Sequence, residues 1–363
     1  MKRILIVTFS MDIGGLENVL MNYYRNISKE EFQIDFLIHK NVDSTFTREI
    51  KKFGGNIHYQ GTVGELGILK YLKKLISFFR KNGVYDTIHA NMEYQSGIVC
   101  LAALLAGVKT RLCHAHTTNV STNYNKYLMP IYRMLTKISA TKLIACNKSA
   151  GHFMFGNRTF EVLPNAIDVN RFLNVDKELI EDIKKTYNIP SNAILLGHVA
   201  RLSKEKNQCF LIDILAELSN TNKDYRLIIV GDGEEKDNIL NYANSKGILE
   251  KVIFTGFRKD INILLKIFDI FLLPSFYEGL PLSVVEAQAA GIKCLLSNNI
   301  SKEVDLGLDL VEFIPIYETS GWVDYIKDYK KLKLNPNVIE TKFKEEFYDI
   351  KIAVKKLVSL YNT

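Results

Sequence analysis

Short apolar runs rich in β-branched residues alternate with longer segments of helical spacing along the whole chain. This is the pattern of βαβ units, in which a parallel sheet is covered on both faces. In the first half the runs are Ile4–Thr8, Gln33–Ile38, Tyr85–Ala90, Lys109–His114 and Lys142–Cys146. In the second half they are Ile194–Ala200, Tyr225–Val230, Lys251–Thr255, Ile270–Leu273 and Ile292–Ser297. Helical spacing is clearest at Leu16–Ile27, Ile68–Arg80, Cys209–Ser219, Lys236–Lys246 and Leu282–Ala290, several of which end near Gly or Asn. The regular pattern breaks at Val162-Leu163-Pro164-Asn165-Ala166-Ile167-Asp168, ahead of a polar helix around residues 176–187, and this break predicts a linker. The tail from Pro336 reads as helical, with apolar positions at Ile350, Val354, Leu357, Val358 and Tyr361 that need a surface to pack on. The expected division is therefore an α/β domain over 1–168, a second over 169–340, and a C-terminal helix over 341–363 that packs back on the first domain.

A length of 363 residues, 47% of them hydrophobic and 24% charged, suits two globular domains and excludes disorder, collagen and a membrane bundle. The net charge of +7 is unevenly spread: residues 1–170 hold 21 basic and 12 acidic side chains, and residues 171–363 hold 26 and 28. A basic first half attracts phosphates, nucleic acid or an anionic membrane, or it simply aids solubility. No nucleic-acid-binding module stands out, so nucleic acid is not an expected partner. Five cysteines without a C-x-x-C pair fit a reducing cytosol better than a disulfide framework or zinc knuckle. The basic start at Met1-Lys2-Arg3 leads into an apolar run too short for a signal peptide. The longest apolar run, Gly97 to Val108, falls short of the ~20 residues of a membrane span. A cytoplasmic protein is expected.

Ligands of open parallel sheets bind beyond the carboxyl ends of the strands, so candidate chemistry belongs in the loops that follow them. After the first strand, Gly14 and Gly15 open a helix, as either a ligand loop or a tight connection. After the fourth, His114, His116, Thr117, Thr118 and Asn119 share one loop, and alternation points the two histidines to the same side. They read as ligand contacts, as buried structural histidines, or as part of a zinc site that lacks a third ligand. In the second half, Arg201, Lys204 and Lys206 follow a buried strand and either clamp a diphosphate or form a solvated basic loop. Gly231-Asp232-Gly233-Glu234 reads as a turn and helix cap. The most specific segment is Pro274-Ser275-Phe276-Tyr277-Glu278-Gly279-Leu280-Pro281 with Glu286 beyond it. Pro281 suits the first position of a helix, whose amides would hold a phosphate while Glu278 and Glu286 accept hydrogen bonds from sugar hydroxyls. The alternative, a glutamate favoured by a helix dipole, accounts poorly for two at this spacing.

At these residues the chain resembles the family 4 retaining glycosyltransferases of the GT-B fold, nearly end to end. Glu278 and Glu286 match that family's E-x7-E pair, Arg201 and Lys206 its basic donor clamp, and Gly14 and Gly15 its glycine-rich first loop. Pro164-Asn165-Ala166-Ile167-Asp168 matches its interdomain P-N-G-I-D with Ala166 in place of glycine. The texture of Gly14 to Asn18, His114 to Thr117 and Ser301 to Val304 is similar to bacterial enzymes that assemble capsular and exopolysaccharide units. The resemblance implies two Rossmann-like parallel-sheet domains facing a central cleft. It implies a hexosyltransferase that uses a UDP-sugar and a lipid-linked or saccharide acceptor, with no cofactor and no metal, since the chain lacks a D-x-D triplet.

Carried over to this chain, Arg201 and Lys206 would neutralise the diphosphate, supported by the Gly279 and Leu280 amides. Glu286 would bind the ribose and Glu278 the donor sugar, with Thr255, Gly256 and Phe257 near the base. His116 would face the reaction centre, with His114 and Asn119 on the acceptor side. The bacterial enzymes it resembles often act on lipid-diphosphate acceptors at the inner face of the membrane. The basic first half, with the mixed apolar and cationic stretch Tyr71–Lys81, therefore suggests peripheral contact with an anionic membrane. Two rival expectations are a GT-B nucleotide-sugar epimerase or hydrolase and a noncatalytic binding subunit.

Overall fold

The computed structural model describes residues 1–12, 14–83, 85–117 and 128–362. The chain divides into two compact units, Met1–Ile167 with Phe347–Thr363 and Asp168–Glu346.

The first unit holds strands β1 (Lys2–Thr8), β2 (Phe32–Ile38), β3 (Ile57–Tyr59), β4 (Thr87–Asn91), β5 (Thr110–Ala115), β6 (Lys142–Ala145) and β7 (Glu161–Val162). They form one sheet in the order β3-β2-β1-β4-β5-β6-β7, with every neighbouring pair parallel. The central strands are apolar because helices cover both faces: Ile4, Leu5, Val7, Phe36, Leu37 and Ile88 are fully buried. The second unit holds β8 (Ile194–Val199), β9 (Tyr225–Val230), β10 (Val252–Gly256), β11 (Ile270–Leu273), β12 (Lys293–Ser297) and β13 (Val311–Ile314). Their order is β10-β9-β8-β11-β12-β13, again all parallel. One core cluster joins Leu196, Leu227, Ile229, Leu272 and Leu295 of this sheet to Leu211, Leu215 and Trp322 of covering helices. Each fully buried aliphatic side chain of this kind contributes ~1.5–3 kcal/mol relative to exposure.

Three strands are absent from the apolar pattern of the sequence, and β3, β7 and β13 all stand at sheet edges. An edge strand has one neighbour and partial cover, so it needs no continuous apolar run; β7 has only two residues and lies at the start of the expected linker. The tail also differs from a single helix. Helix Pro336–Glu345 stays in the second unit against helices Val169–Leu173 and Leu282–Ala289. Helix Ile350–Asn362 belongs to the first unit, where it packs on helix Gly15–Asn26. The chain turns between them at Phe347, in left-handed conformation with φ 61°, and Ile167 and Tyr348 share a backbone hydrogen bond of 2.9 Å. The division expected at residue 341 therefore falls inside a helix, and the observed one lies between Glu346 and Phe347.

The stretch expected to meet a membrane is helix Ile68–Lys81, and it turns Tyr71, Leu75 and Phe79 into the core of its own unit. Sheet cover claims that apolar face, leaving Lys70, Lys73, Lys74, Arg80 and Lys81 exposed. In the second unit, Gly197 of β8 is demanded by packing: a Cβ there would lie 1.9 Å from the buried Phe268 ring. Gly197→Ala is expected to cost ~1–3 kcal/mol, the range for overpacking a tight core, read as a lower urea midpoint. An unchanged midpoint would show that Phe268 can retreat.

Candidate functional site

In each all-parallel sheet the carboxyl ends of all strands lie on one rim, and most of the predicted residues gather there. On the second unit's rim, successive loops are stitched together by main-chain hydrogen bonds. Leu202 N–H donates to Asp232 O (3.0 Å), Glu235 N–H to Leu202 O (3.1 Å) and Gly231 N–H to Gly256 O (3.0 Å). Phe276 N–H donates to Glu205 O (2.9 Å), and Ser301 N–H to Glu278 O (3.2 Å). Gly231 has φ 138°, and a Cβ on it would sit 1.9 Å from Ala200 O, while one on Gly233 would sit 2.2 Å from Leu202 O. The segment Gly231–Glu234 is thus a seam between loops, and Glu234 pairs with Arg201 at 3.0 Å. The glycines on either side of Asp232 were the available signal for this role.

Lys206 lies in a one-turn helix after β8 and forms an ion pair with Glu278, whose Oε1 also accepts from Ser275 Oγ at 3.2 Å. Asn207, in left-handed conformation, donates from Nδ2 to Pro274 O at 3.3 Å and so ties the two loops that carry the pair. Arg201 is solvent-exposed, whereas Lys206 and Glu278 are largely shielded. Glu286 lies on helix Leu282–Ala289, where burial pushes its carboxyl up to about 7 against the opposing pull of Arg171. Arg171 was not among the expected residues; it comes from helix Val169–Leu173 just beyond the linker. Pro281 is the cap of Glu286's helix, with extended backbone, instead of its first helical residue. Leu280 beside it is buried and Gly279 follows Glu278 in the same loop. Thr255 and Gly256 end β10, with Gly256 at φ 67°, and the next residue, Phe257, is exposed.

Beneath this rim lies a polar chain that sequence reasoning missed. His198 in β8 is fully buried, its Nδ1 donating to Leu272 O at 2.9 Å and its Nε2 accepting from Gln208 at 3.2 Å. Gln208 donates its other proton to Arg201 O at 2.9 Å, so it braces the loop that carries the cations. Burial holds His198 down to about 4, which keeps it neutral.

On the first unit's rim, Gly14 caps helix Gly15–Asn26, and Asn18 Nδ2 donates to Gly14 O at 2.8 Å. A Cβ on Gly14 would meet the Glu17 carboxylate at 2.3 Å, whereas Gly15 faces open space. Across β4 and β5 runs a buried chain of rings. Tyr361 OH meets His89 Nδ1 at 2.8 Å, His89 Nε2 meets His114 Nδ1 at 3.0 Å, and the His114 and His116 ring centroids are 4.0 Å apart. His116 Nε2 bonds Asn91 Oδ1 at 2.9 Å. His114 is buried behind His116, and among the described residues its Nε2 has no partner, so it has no open face for an acceptor. Burial, with mutual repulsion of the rings, pushes His116 down to about 3 and His114 well below its ordinary range. All three rings are neutral at pH 7. Thr118 and Asn119 lie outside the described residues. Among the described residues no group of three His, Cys, Asp or Glu side chains is placed to hold a metal ion. Arg201, Lys206, Glu278, Glu286 and Thr255–Phe257 share the second unit, and Gly14, Gly15, His114 and His116 the first.

The family described as glycosyl transferases group 1 matches residues 180–310. The chain is 34% identical over 371 residues to EpsF of Bacillus subtilis (strain 168), which bears a glycosyltransferase name, covering 99% of this chain and 96% of that relative. It is 25% identical over 302 residues to the UDP-Gal:α-D-GlcNAc-diphosphoundecaprenol α-1,3-galactosyltransferase of Escherichia coli, covering 79% and 76%. Among solved structures, HepE of Anabaena in complex with UDP and glucose aligns with a TM-score of 0.80 at 20% identity over 100% of both chains. That likeness concerns the fold.

The histidine chain makes stability depend on pH in a defined direction. His89, 1% exposed, is held down to about 3 by burial, against 6.5 for a solvated ring. Below about pH 6.5 the unfolded chain takes up this proton and the folded chain does not, so stability falls on acidification by ~1.4 kcal/mol per pH unit. Urea midpoints should therefore drop between about pH 6.5 and pH 5, and His89→Gln should make the drop shallower. Identical slopes for the two proteins would show that His89 is not held neutral.

Proposed function

The chain belongs to the glycosyl transferases group 1 family and has its two-domain GT-B fold, and from that membership we propose that it is a retaining, family 4-like hexosyltransferase. In this reading it moves a sugar from a UDP-sugar to a lipid-linked or saccharide acceptor during bacterial surface polysaccharide synthesis. The observation that carries the reading is the shielded Lys206–Glu278 pair, set among stitched loops on the rim of a parallel sheet. UDP is favoured because HepE was solved with it, and a lipid-diphosphate acceptor because the E. coli relative is named for one.

The diphosphate takes the cations from their glutamates. Lys206 and Arg201 exchange Glu278 and Glu234 for phosphate oxygens, which frees Glu278 to accept from donor-sugar hydroxyls. Glu286 accepts from the ribose hydroxyls, Gly279 and Leu280 lie along the phosphates, and Thr255, Gly256 and Phe257 flank the base. Gly14 and Gly15 let the first unit's backbone approach the donor closely, and the neutral His116 contacts a sugar hydroxyl. The reaction then proceeds by stabilising the UDP leaving group and aligning the acceptor. Protein cations provide the charge that a metal supplies elsewhere, and no cofactor takes part.

Peripheral contact with an anionic membrane at the cytoplasmic face belongs to the same reading, and its support has moved to helix Met129–Ser139. There Ile131, Met134 and Ile138 are 49, 54 and 57% exposed beside Arg133 and Lys137. Residues 94–160 contain no Asp or Glu, so nothing acidic in that stretch of sequence opposes a negative surface.

A thermal-shift screen of UDP-, GDP- and ADP-sugars should pick out the UDP compounds, because a ligand of the native state raises the melting temperature. Lys206→Ala and Glu278→Ala should each lower transfer ~100-fold or more with the fold retained. Near-normal rates in both would sink the site assignment. Steady turnover of the nucleotide-sugar without acceptor would favour the hydrolase or epimerase reading. Binding to phosphatidylglycerol vesicles should weaken with salt and with Ile131→Ser/Ile138→Ser, and equal binding to neutral vesicles would remove the electrostatic part.

A further inference from the structure

The end of β4 and the loop that follows it grip the loop after β5 at two points. Asn91, 1% exposed, donates from Nδ2 to His89 O at 3.1 Å. A carbonyl can only accept, so the amide orientation is settled and Oδ1 is the atom facing His116 Nε2 at 2.9 Å. An acceptor at that distance requires the proton of the ring to sit on Nε2. In a neutral imidazole this leaves Nδ1 as a hydrogen-bond acceptor.

Two residues on, the Glu93 carboxyl accepts from the backbone amides of His116 and Thr117. Glu93 is a non-glycine residue at φ 51°, a conformation that costs of order 1–3 kcal/mol and persists only where the surroundings over-determine it. Its neighbours do so. Met92 N–H donates to Ser96 Oγ at 2.9 Å, and Ser96 Oγ donates to Ala90 O at 3.3 Å.

We propose that Asn91 and Glu93 are positioning residues that present His116 as an Nε2–H imidazole whose Nδ1 is reserved to accept from a hydroxyl of the transferred sugar. Asn91 sets the tautomer, and Glu93 fixes the main chain from which the ring projects. Burial among His89 and His114 disfavours a second proton on the ring, so the acceptor persists across the physiological range. His116 is therefore a hydrogen-bond acceptor and not an acid. The role toward a sugar rests on the glycosyltransferase reading; the tautomer does not.

The test is a 1H–15N correlation spectrum of the intact protein labelled with 15N-histidine, with His116 assigned through His116→Gln. A neutral ring protonated on Nε2 at pH 7 is expected, and Asn91→Ala should turn it into a mixture of tautomers. A wild-type His116 protonated on Nδ1 or on both nitrogens would overturn the proposal, as would an Asn91→Ala ring that stays fully on Nε2–H. The wild-type spectrum decides the matter even if Asn91→Ala does not fold. In transfer assays Glu93→Ala should lower kcat at least 10-fold with little change in KM. Glu93→Gln, which keeps an acceptor for the two amides, should recover most of the loss. Equal losses for both variants would overturn the clamp. Failure of UDP and UDP-glucose to stabilise the wild-type protein would count against the donor reading alone and leave the tautomer result standing.

Discussion

Every strand in either sheet runs parallel to its neighbours, so the polarity of the chain alone sends all the loops that follow strands to one rim. The central strands are buried on both faces and carry mostly apolar side chains. Apart from a few buried, hydrogen-bonded strand residues such as His89, His114 and His198, polar chemistry is thereby collected at one edge. Loops on that edge expose many main-chain polar groups. The second unit satisfies them by pairing neighbouring loops, Ala200–Leu202 with Gly231–Glu235 and Glu205 with Phe276. Glycine at 231 and 233 is the condition for this stitching, because any Cβ there would run into a carbonyl oxygen.

The two rims treat charge in opposite ways. In the second unit two cations of the loop after β8 are retained and paired: Arg201 with Glu234 at the surface, Lys206 with Glu278 in a more shielded position. Paired in this way, a cation can stay on the rim at modest desolvation cost and still be taken over by a phosphate, which offers more acceptor oxygens than one carboxylate. In the first unit the titratable rings are buried deeply enough to stay uncharged, and they are linked as donors and acceptors. Tyr361 at the far end of the chain closes this series on His89, which gives the crossing of the last helix to the first unit a role beyond covering the sheet.

Where the sequence was legible, a strong physical requirement left a periodic trace. Tyr225–Val230 and Ile270–Leu273 match their strands to the residue, because a central strand of a parallel sheet must be apolar on both faces. The edge strands β3, β7 and β13 left no such trace, having cover on fewer sides. Glu278 and Glu286 stood out through the spacing of two carboxylates around a helix start. Glu234 and Arg171 did not, since a single charged residue in a loop or short helix looks like ordinary surface. His198 and Gln208 were hidden for another reason: each sits at a position that periodicity assigns to the core, and only the fold brings their nitrogens together.

The order of hydrophobic and polar residues by itself determined two parallel-sheet domains, the place of the chain's break and the loops in which chemistry would lie. These follow from local periodicity and chain polarity, which any stretch of sequence displays without reference to distant residues. Only the tertiary structure decided that Lys206 rests on Glu278 across 72 residues of chain, that Tyr71, Leu75 and Phe79 are core and not a membrane face, and that Asn91 and Glu93 hold His116. Each of these depends on which loops become neighbours along the rim. That is set by strand order in the sheet, a property that pairs residues far apart in the chain and leaves no periodic mark within it.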